Sequence, residues 1–596
     1  MKKIQSKFTK SFKNILLLRS FPVRIYVVAG LFFVVINLLT VRFYRFQVAN
    51  YDYWKNKALA QQFYSLNLGP ERGEILARDK DGNLHHLAVN KHIYNLAVSP
   101  KDIEIDPEQA ADFLAGQLNL PYEEVLKKLQ KKDDPYELIA KNISEETIAA
   151  IQERGFKGLI IEDEKSRYYP LGDFASHIIG FVGFDDKNEI AGRYGLELGF
   201  NEKLSGSGPS AEEISQTIQK GSFLGLNNIY IKNGDDLVLT IEPIIQKETE
   251  RLLKEEVEKW SAKSGNAIVV DPKTGEIIAL ANYPSFDPNY YPQEKDLSVF
   301  LNSAVSLRYE PGSVFKPFTL AAGLSSGKIT PETTYFDGGE IKIDGRIIRN
   351  AGNSAPNKYV SMALFLQRSY NLGAVFIQTA IGNTFFRDFI INRLGFEGKT
   401  GIDLPQEINS SFSNFYPPEG RSINFATASF GQGVAVTPIK FIQEFAAFAN
   451  NGLMMKPFVV KEIKKDNGKI IVTEPTPIRQ TISPGVIAQA IPLLESVISG
   501  EHGSGKLAQI KGYRIAGKTG TGEIPREDGR GYSDQVNHSF AGFGPVSEPR
   551  FVILTRIEDP KGVRYAEATA VPLFRKIMKF VLDYYAIPPD APEELN

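Results

Sequence analysis

The sequence predicts a mixed α/β protein of the α+β kind. A single membrane-spanning helix is followed by two folded modules, the second built on an antiparallel sheet packed by helices. Three observations predict it. Residues Ile25 to Val41 are almost wholly apolar, β-rich runs lie near residues 266–281 and 539–557, and from roughly 300 to 500 the apolar residues recur with helical spacing. Strands at both ends of a segment, with helices between them, imply one sheet assembled from the two ends and covered by the helices.

The bulk properties set limits. At 596 residues the chain exceeds what one hydrophobic core organises. With 42% hydrophobic and 23% charged residues it reads as globular, and a net charge of -1 gives no sign of a nucleic-acid partner. Cysteine is absent, which removes disulfides, thiolate catalysis and thiolate metal sites.

At the N-terminus, residues 1–24 form a basic tail carrying Lys2, Lys3, Lys7, Lys10, Lys13 and Arg19 and no acidic residue. The apolar stretch 25–41, bracketed by Arg24 and Arg42, approaches the ~20 residues that cross a bilayer. The charge bias keeps the tail in the cytoplasm and sends the rest of the chain across. A cleaved signal peptide is the rival reading, but no A-x-A-like site follows. Residues 50–233 then mix short strands and helices. Asp106-Pro107 and Ser144-Glu145-Glu146 read as helix starts. A boundary is expected near Asn233, where glycine-punctuated sequence gives way to the strand-like LVLTI.

The second module spans 234–585. Asn266–Val270 and Glu276–Ala281 flank the turn Asp271-Pro272-Lys273-Thr274-Gly275 and form a hairpin. A second hairpin joins Ser539–Gly544 to Phe551–Ile557, and Phe441–Ala449 and Ile487–Ile498 read as helices. The proline-rich, acidic tail 586–596 is expected to be disordered.

The chemistry centres on Glu310-Pro311-Gly312-Ser313-Val314-Phe315-Lys316. A turn delivers Ser313 to the start of a helix, where free N–H groups favour developing negative charge. Lys316 returns to the same face one turn later and can serve as the base if burial keeps its amine neutral. Pro317 is expected to break a backbone hydrogen bond to the carbonyl of residue 313. S-x-x-K alone is weak: Ser325-Ser326-Gly327-Lys328 also fits, although its glycine interrupts the helix. The pattern gains weight from S-x-N followed by K-T-G. Ser369-Tyr370-Asn371 supplies the first, with Ser65–Asn67 and Ser422–Asn424 as competitors. K-T-G begins at Lys273, Lys399 and Lys518. Lys273 lies in a hairpin turn and Lys399 in a loop. Lys518 follows a strand and continues as Thr519-Gly520-Thr521, where small residues let a peptide backbone approach a strand edge.

With the ordered trio in hand, the chain resembles the class B penicillin-binding proteins, the monofunctional D,D-transpeptidases of bacterial cell-wall synthesis, over nearly its whole length after the anchor. Pro70-Glu71-Arg72-Gly73-Glu74-Ile75, Arg167-Tyr168-Tyr169-Pro170 and Gly195-Leu196-Glu197 are similar to motifs of the family's N-terminal module. Ser429-Phe430-Gly431-Gln432-Gly433 and Thr437-Pro438 match the segment that lines the back of its transpeptidase domain. The resemblance implies a dimerisation-type pedestal and a transpeptidase domain with a five-stranded antiparallel sheet. It implies a substrate, the peptidoglycan stem peptide ending in D-Ala-D-Ala, that is attacked by Ser313 with Lys316 as base. Ser369 would relay protons to the leaving group, and Asn371 would hold a substrate amide and orient the lysine. Lys518, Thr519, Gly520 and Thr521 would bind the terminal carboxylate region, and the N–H groups of Ser313 and Thr521 would form the oxyanion hole. β-Lactams would acylate the same serine. A SEDS-family glycosyltransferase is the implied protein partner, and the bacterial cytoplasmic membrane the implied location, with the catalytic domain outside the cytoplasm.

Several rivals remain. A D,D-carboxypeptidase would use the same trio with water, and a scaffold or β-lactam sensor would keep an idle acyl site. His85, His86, His92, His177, His502 and His538 could serve a Ser-His-Asp triad, but no G-x-S-x-G surrounds Ser313. No metal or cofactor motif occurs, and Glu162-Asp163 does not continue into a glycosyltransferase motif. Tyr370 stands where small residues are commoner in the family, which is expected to narrow the pocket, and residues 524–535 form a charged loop expected to differ among relatives. The YEPGS approach leans towards a division rather than an elongation role.

Overall fold

A computed structural model describes residues 21–51, 70–186, 190–208, 232–417, 420–526 and 531–595. The basic tail up to residue 20, and the competitor Ser65–Asn67, lie outside them. The chain divides into two units, residues 1–70 with 207–232, and residues 71–206 with 233–596. In the first unit, α1 (Phe21–Tyr44) exposes its apolar side chains from Ile25 onward. It belongs to the one helical span, among the described residues, that is long and apolar enough to cross a membrane.

Among the described residues the second unit contains two large sheets, of seven and five strands, and four two-stranded ones. Its elements in chain order begin with β1 (Ile75–Arg78), the long β2 (Leu84–Val98), α2 (Pro107–Leu118), α3 (Tyr122–Leu129), β3 (Glu137–Ile143), α4 (Glu145–Arg154) and β4 (Leu159–Tyr168). Asp106 caps α2 through the Glu108 N–H with Pro107 in the first turn, and Ser144 caps α4 through the Thr147 N–H, as the sequence suggests. There follow β5 (Asp236–Leu239), α5 (Pro243–Lys259), β6 (Ser264–Val270), β7 (Ile277–Tyr283), α6 (Lys316–Ser325), α7 (Met362–Arg368), α8 (Asn371–Ile381) and α9 (Pro438–Ala446). The last are β8 (Val460–Lys464), β9 (Ile470–Val472), α10 (Pro484–Ser499), β10 (Ala516–Pro525), β11 (Tyr532–Gly544), β12 (Phe551–Glu558) and α11 (Ala570–Tyr584).

One sheet has the order β9-β8-β5-β1-β2-β3, with β4 also on β2. It runs across the expected boundary at Asn233: Ile75 pairs in parallel with Leu237, and β8 joins the other side of β5. Beside it the three motifs of the first module meet around one buried carboxylate. Glu197, fully buried, accepts from Arg72 Nε at 2.6 Å and from Arg167 Nε at 2.7 Å, while Arg72 Nη1 also donates to Asn201 Oδ1 at 3.0 Å and Ser205 Oγ at 2.9 Å. Removing one partner of such a group strands the other charges out of water. Glu197→Gln is therefore expected to lower the unfolding free energy by about 3 kcal/mol, seen as an earlier urea midpoint. An unchanged midpoint would mean that the guanidiniums find other acceptors.

The second sheet has the order β10-β11-β12-β6-β7, every pair antiparallel, so both predicted hairpins lie in one sheet built from the ends of the module. Alternation along each strand sorts its two faces. Ala267, Val269 and Ile553 face Leu253 of α5 and Phe574 of α11. Ile268, Val552 and Leu554 face a larger core with Phe318 of α6 and Phe441 and Phe445 of α9.

The tail departs from expectation. Instead of being disordered, it is pinned: Tyr513 Oη donates to Ile587 O at 2.6 Å and Ala591 N–H to Gly512 O at 3.0 Å. The Asp590 carboxylate accepts from the N–H groups of Arg514 at 2.7 Å and Ser547 at 3.1 Å. Its acidity and prolines, read as signs of disorder, instead satisfy backbone donors on the domain and stiffen the chain that reaches them.

Candidate active site

Ser313 sits in a 3₁₀ turn, Gly312–Phe315, that leads into α6. The carbonyl of Ser313 accepts from the Lys316 N–H, and Pro317 falls in the first turn of α6, where no backbone donor is required. The expected broken hydrogen bond at Pro317 is thus corrected: the helix starts later than the motif suggested.

Glycines let three chain segments converge on this turn. Gly312 has φ +58°, and a side chain there would meet Thr521 O at 2.7 Å, so the nucleophile turn lies directly on β10. Behind it the Gly312 N–H donates to Gly431 O at 3.0 Å. Gly431 has φ +81°, with space for a Cβ blocked by Gly312 O at 2.2 Å. Thr319 Oγ1 donates to Ser429 O at 2.6 Å, which ties the same brace to α6.

The Ser369-Tyr370-Asn371 segment is the bend between α7 and α8. Ser369 closes α7 in a left-handed conformation, φ +56°, and Asn371 opens α8. Lys316, fully buried, directs Nζ to Ser369 O at 2.5 Å, Ser369 Oγ at 3.2 Å and Asn371 Oδ1 at 3.0 Å. From the opposite side Lys518 Nζ donates to Ser369 Oγ at 2.9 Å and to Thr519 O and Oγ1, both at 3.1 Å. The Asn371 amide is oriented by donation of Nδ2 to Arg349 O at 2.9 Å.

Burial and the neighbouring Lys518 hold the Lys316 amine well below the usual lysine range. Burial lowers Lys518 to about 7, opposed by Glu567. Two buried ammonium groups on one hydroxyl repel each other, so the arrangement favours a neutral Lys316 beside a charged Lys518, with Ser369 able to donate to one and accept from the other.

The sequence-selected residues do not all touch. Among the described residues no hydrogen bond joins Ser313 Oγ to Lys316 Nζ; the lysine reaches the S-x-N bend instead. Thr521 Oγ1 accepts from the Ala566 N–H at 3.4 Å, whereas Thr519 stays with Lys518. Tyr370 packs, partly buried, against the large core. Ser504, whose Oγ lies 2.9 Å from Thr519 Oγ1, and Arg349 were missed, because a serine in a glycine-rich loop and a backbone carbonyl carry no motif.

The competitors sit elsewhere. Lys328 Nζ donates to Ala380 O, Lys273 pairs with Glu548, Thr400 of the second K-T-G is held by Glu407, and Ser422 opens a separate helix, Ser422–Ala428. His177 bonds to Val299 O and His538 to Thr569, while His502 bonds to Arg368 and His85, His86 and His92 pair with acidic side chains. None is bonded to Ser313. Glu162 and Asp163 lie on β4. Among the described residues no cluster of metal-ligating side chains occurs.

Two family models match the chain: the penicillin binding protein transpeptidase domain over residues 265–579, and the penicillin-binding protein dimerisation domain over 67–239. Stage V sporulation protein D of Bacillus subtilis is 33% identical over 90% of this chain and 82% of its own length. A peptidoglycan D,D-transpeptidase FtsI homolog of Mesostigma viride is 31% identical over 96% of this chain and 97% of its own. Among solved structures, Penicillin Binding Protein 2X of Streptococcus thermophilus is similar with a TM-score of 0.73 at 23% identity, over 87% of this chain and 80% of that one. Penicillin binding protein 3 of Mycobacterium tuberculosis, complexed with aztreonam, is similar with a TM-score of 0.66 at 22% identity, over 88% and 98%.

Proposed function

The chain belongs to the penicillin-binding D,D-transpeptidases, the enzymes that cross-link peptidoglycan, and we propose that it does so through an acyl-enzyme on Ser313. The observation that carries this reading is the meeting of two buried lysines on the single hydroxyl of Ser369: Lys316, one turn of chain from Ser313, and Lys518. Neutral Lys316 takes the Ser313 proton as Oγ attacks the penultimate D-Ala carbonyl of a stem peptide, and terminal D-Ala leaves with a proton passed through Ser369. An amine of a second stem then replaces Ser313. Lys518 with Thr519 and Thr521 meets the terminal carboxylate, Gly520 leaves room for Pro311 and Val314 of the nucleophile turn, and Asn371 holds a substrate amide. The N–H groups of Ser313 and Thr521 serve the oxyanion, a role supported by the contact of Gly312 with the Thr521 carbonyl. β-Lactams enter by the same attack. The similar penicillin binding protein 3 of Mycobacterium tuberculosis, complexed with aztreonam and with ampicillin, supports this.

Peptide mapping after incubation with benzylpenicillin tests the reading. The expected result is one adduct, on Ser313. An adduct elsewhere, or none, would remove it. Gly431→Ala is expected to slow that acylation at least ~10-fold, because a Cβ there pushes on the nucleophile turn and the residue is forced into a left-handed backbone. Stopped-flow acylation rates check this.

We also propose the division of the chain into a cytoplasmic tail at 1–24, an anchor at 25–41, a pedestal at 50–233 and a transpeptidase domain at 234–585. Here α1 spans the bacterial cytoplasmic membrane and the catalytic unit lies outside. The apolar exposure of α1 supports the anchor. The pedestal would dock a SEDS-family glycosyltransferase, a reading supported by the family alone. Co-purification that survives deletion of residues 50–230 would count against it.

A further inference from the structure

The reaction needs a second proton acceptor. An acceptor amine with a pKa near 10 is only about one part in a thousand free at pH 7, so attack on an acyl-enzyme needs a base at the place where the ammonium arrives. Lys316 and Lys518 form the cationic end of the site. The nucleophile turn carries a group of opposite sign at its other end. Glu310 lies three residues before Ser313, and its backbone carbonyl packs on β10 at Gly522, where an added Cβ would sit 2.4 Å away. Gly522 is four positions along the strand from Lys518, or about 13 Å at ~3.3 Å per residue, with Thr521 between them. Among the described residues the Glu310 carboxyl has one side-chain donor, Tyr532 Oη of β11, at 3.0 Å from Oε2. The next carboxylate along β10, Glu523, is engaged by Gln432 Nε2 at 2.9 Å. Gln432 belongs to the same brace that supports the nucleophile turn through Gly431.

We propose that Glu310 is the general base of the second half-reaction, taking a proton from the acceptor ammonium before that amine attacks the Ser313 ester. This rests on the acyl-enzyme reading above. The ammonium gives one proton to the Glu310 carboxylate, and the freed amine forms the new C–N bond. The tetrahedral adduct then breaks its C–Oγ bond, and its surplus N–H proton returns by way of Lys316 to Ser313 Oγ. The amide, the free serine and a protonated Glu310 remain, and Glu310 then loses its proton to solvent. The titratable groups beside Glu310 are Tyr532 and Glu523. Burial and Glu523 raise its carboxyl to about 7, against the lowering effects of Tyr532 and the Gly433 N–H. At neutral pH it is therefore part ionised, yet far more basic than an ordinary carboxylate.

The test measures partition of the acyl-enzyme between aminolysis and hydrolysis, using the full chain in detergent, a D-alanyl thioester donor and D-alanine as acceptor. In the wild type the ratio should rise with an inflection near pH 7, set by Glu310. Glu310→Gln should lower the ratio at least tenfold at pH 7 and replace the inflection by a steady rise towards the amine's own pKa. Glu310→Asp should keep the inflection. A wild-type ratio without that inflection, or a Gln variant that keeps either the ratio or the profile, overturns the assignment. Penicillin labelling of Ser313 in the same samples separates the two readings. Labelling with an unchanged partition removes only Glu310, whereas absence of labelling in the wild type removes the acyl-enzyme itself.

Discussion

Ser313→Ala should leave no covalent penicillin adduct and should lower transpeptidation by about five to six orders of magnitude, the usual scale for loss of a nucleophile that works as part of a coupled set. No neighbouring hydroxyl can take over. Ser369 is held between Lys316 and Lys518, and Ser325, half of the competing S-x-x-K, lies at the far end of α6. Alanine fits the turn without strain, since the left-handed residue there is Gly312 and not Ser313. The variant should therefore keep its far-ultraviolet circular dichroism and melting temperature while losing all fluorescent-penicillin labelling. Equal labelling of variant and wild type would sink the assignment.

Lys316→Ala should slow acylation about 10³-fold, within the range for loss of a positioned base, and pH profiles should show how the two lysines divide the work. The acid limb belongs to Lys316. Burial and Lys518 hold its amine well below the ordinary lysine range, which favours the neutral, proton-accepting form, and the activity fails when acid protonates it. The alkaline limb belongs to Lys518, whose charge in the free enzyme is lost as pH rises through about 7. For a donor with a terminal carboxylate, kcat/KM should accordingly fall above about pH 7. The limb in kcat should lie higher, because a bound carboxylate favours the ammonium. Capping the donor as an amide should erase the difference. Lys518→Met should move the acid limb upwards, since Lys316 then loses a neighbouring positive charge. An acid limb that stays in place would mean that the two amines are not coupled.

The parts of the molecule that local pattern determines were legible. The apolar run of α1, the turn at Asp271–Gly275, the strand leading into Lys518 and the caps Asp106 and Ser144 each depend on a few adjacent residues. Lys518 was separable from Lys273 and Lys399 because those lie in a hairpin turn and a loop, whereas Lys518 continues a strand-like run. What stayed hidden depends on distant partners. Nothing near Asp236–Leu239 says that it will lie parallel to Ile75–Ala77, and nothing near Gly431 says that its carbonyl will receive the Gly312 N–H. The contacts of Lys316 were legible only in part for the same reason. The family resemblance implied that Asn371 orients the lysine, and the i, i+3 spacing pointed to Ser313; the buried amine lies at a bend more than fifty residues on, where Ser369 and Asn371 present three oxygens to it. The tail was misread because composition says nothing about unpaired N–H groups waiting at Arg514 and Ser547.

The sheet that crosses position 233 also sets a timetable. Arg78 on β1 and Glu462 on β8 are hydrogen-bonded although 384 positions apart, and β8 and β9 complete the sheet beyond β5. A ribosome that has finished the first 240 residues or so has made β1 to β5 but not the strands that cover the outer side of β5. That side remains an open edge of unpaired N–H and C=O groups, able to join a strand of any other chain. Nascent chains halted between β5 and β8 should therefore be prone to aggregation or bound by holding factors, and the first module becomes independent of such help only when β8 and β9 of the second have been made.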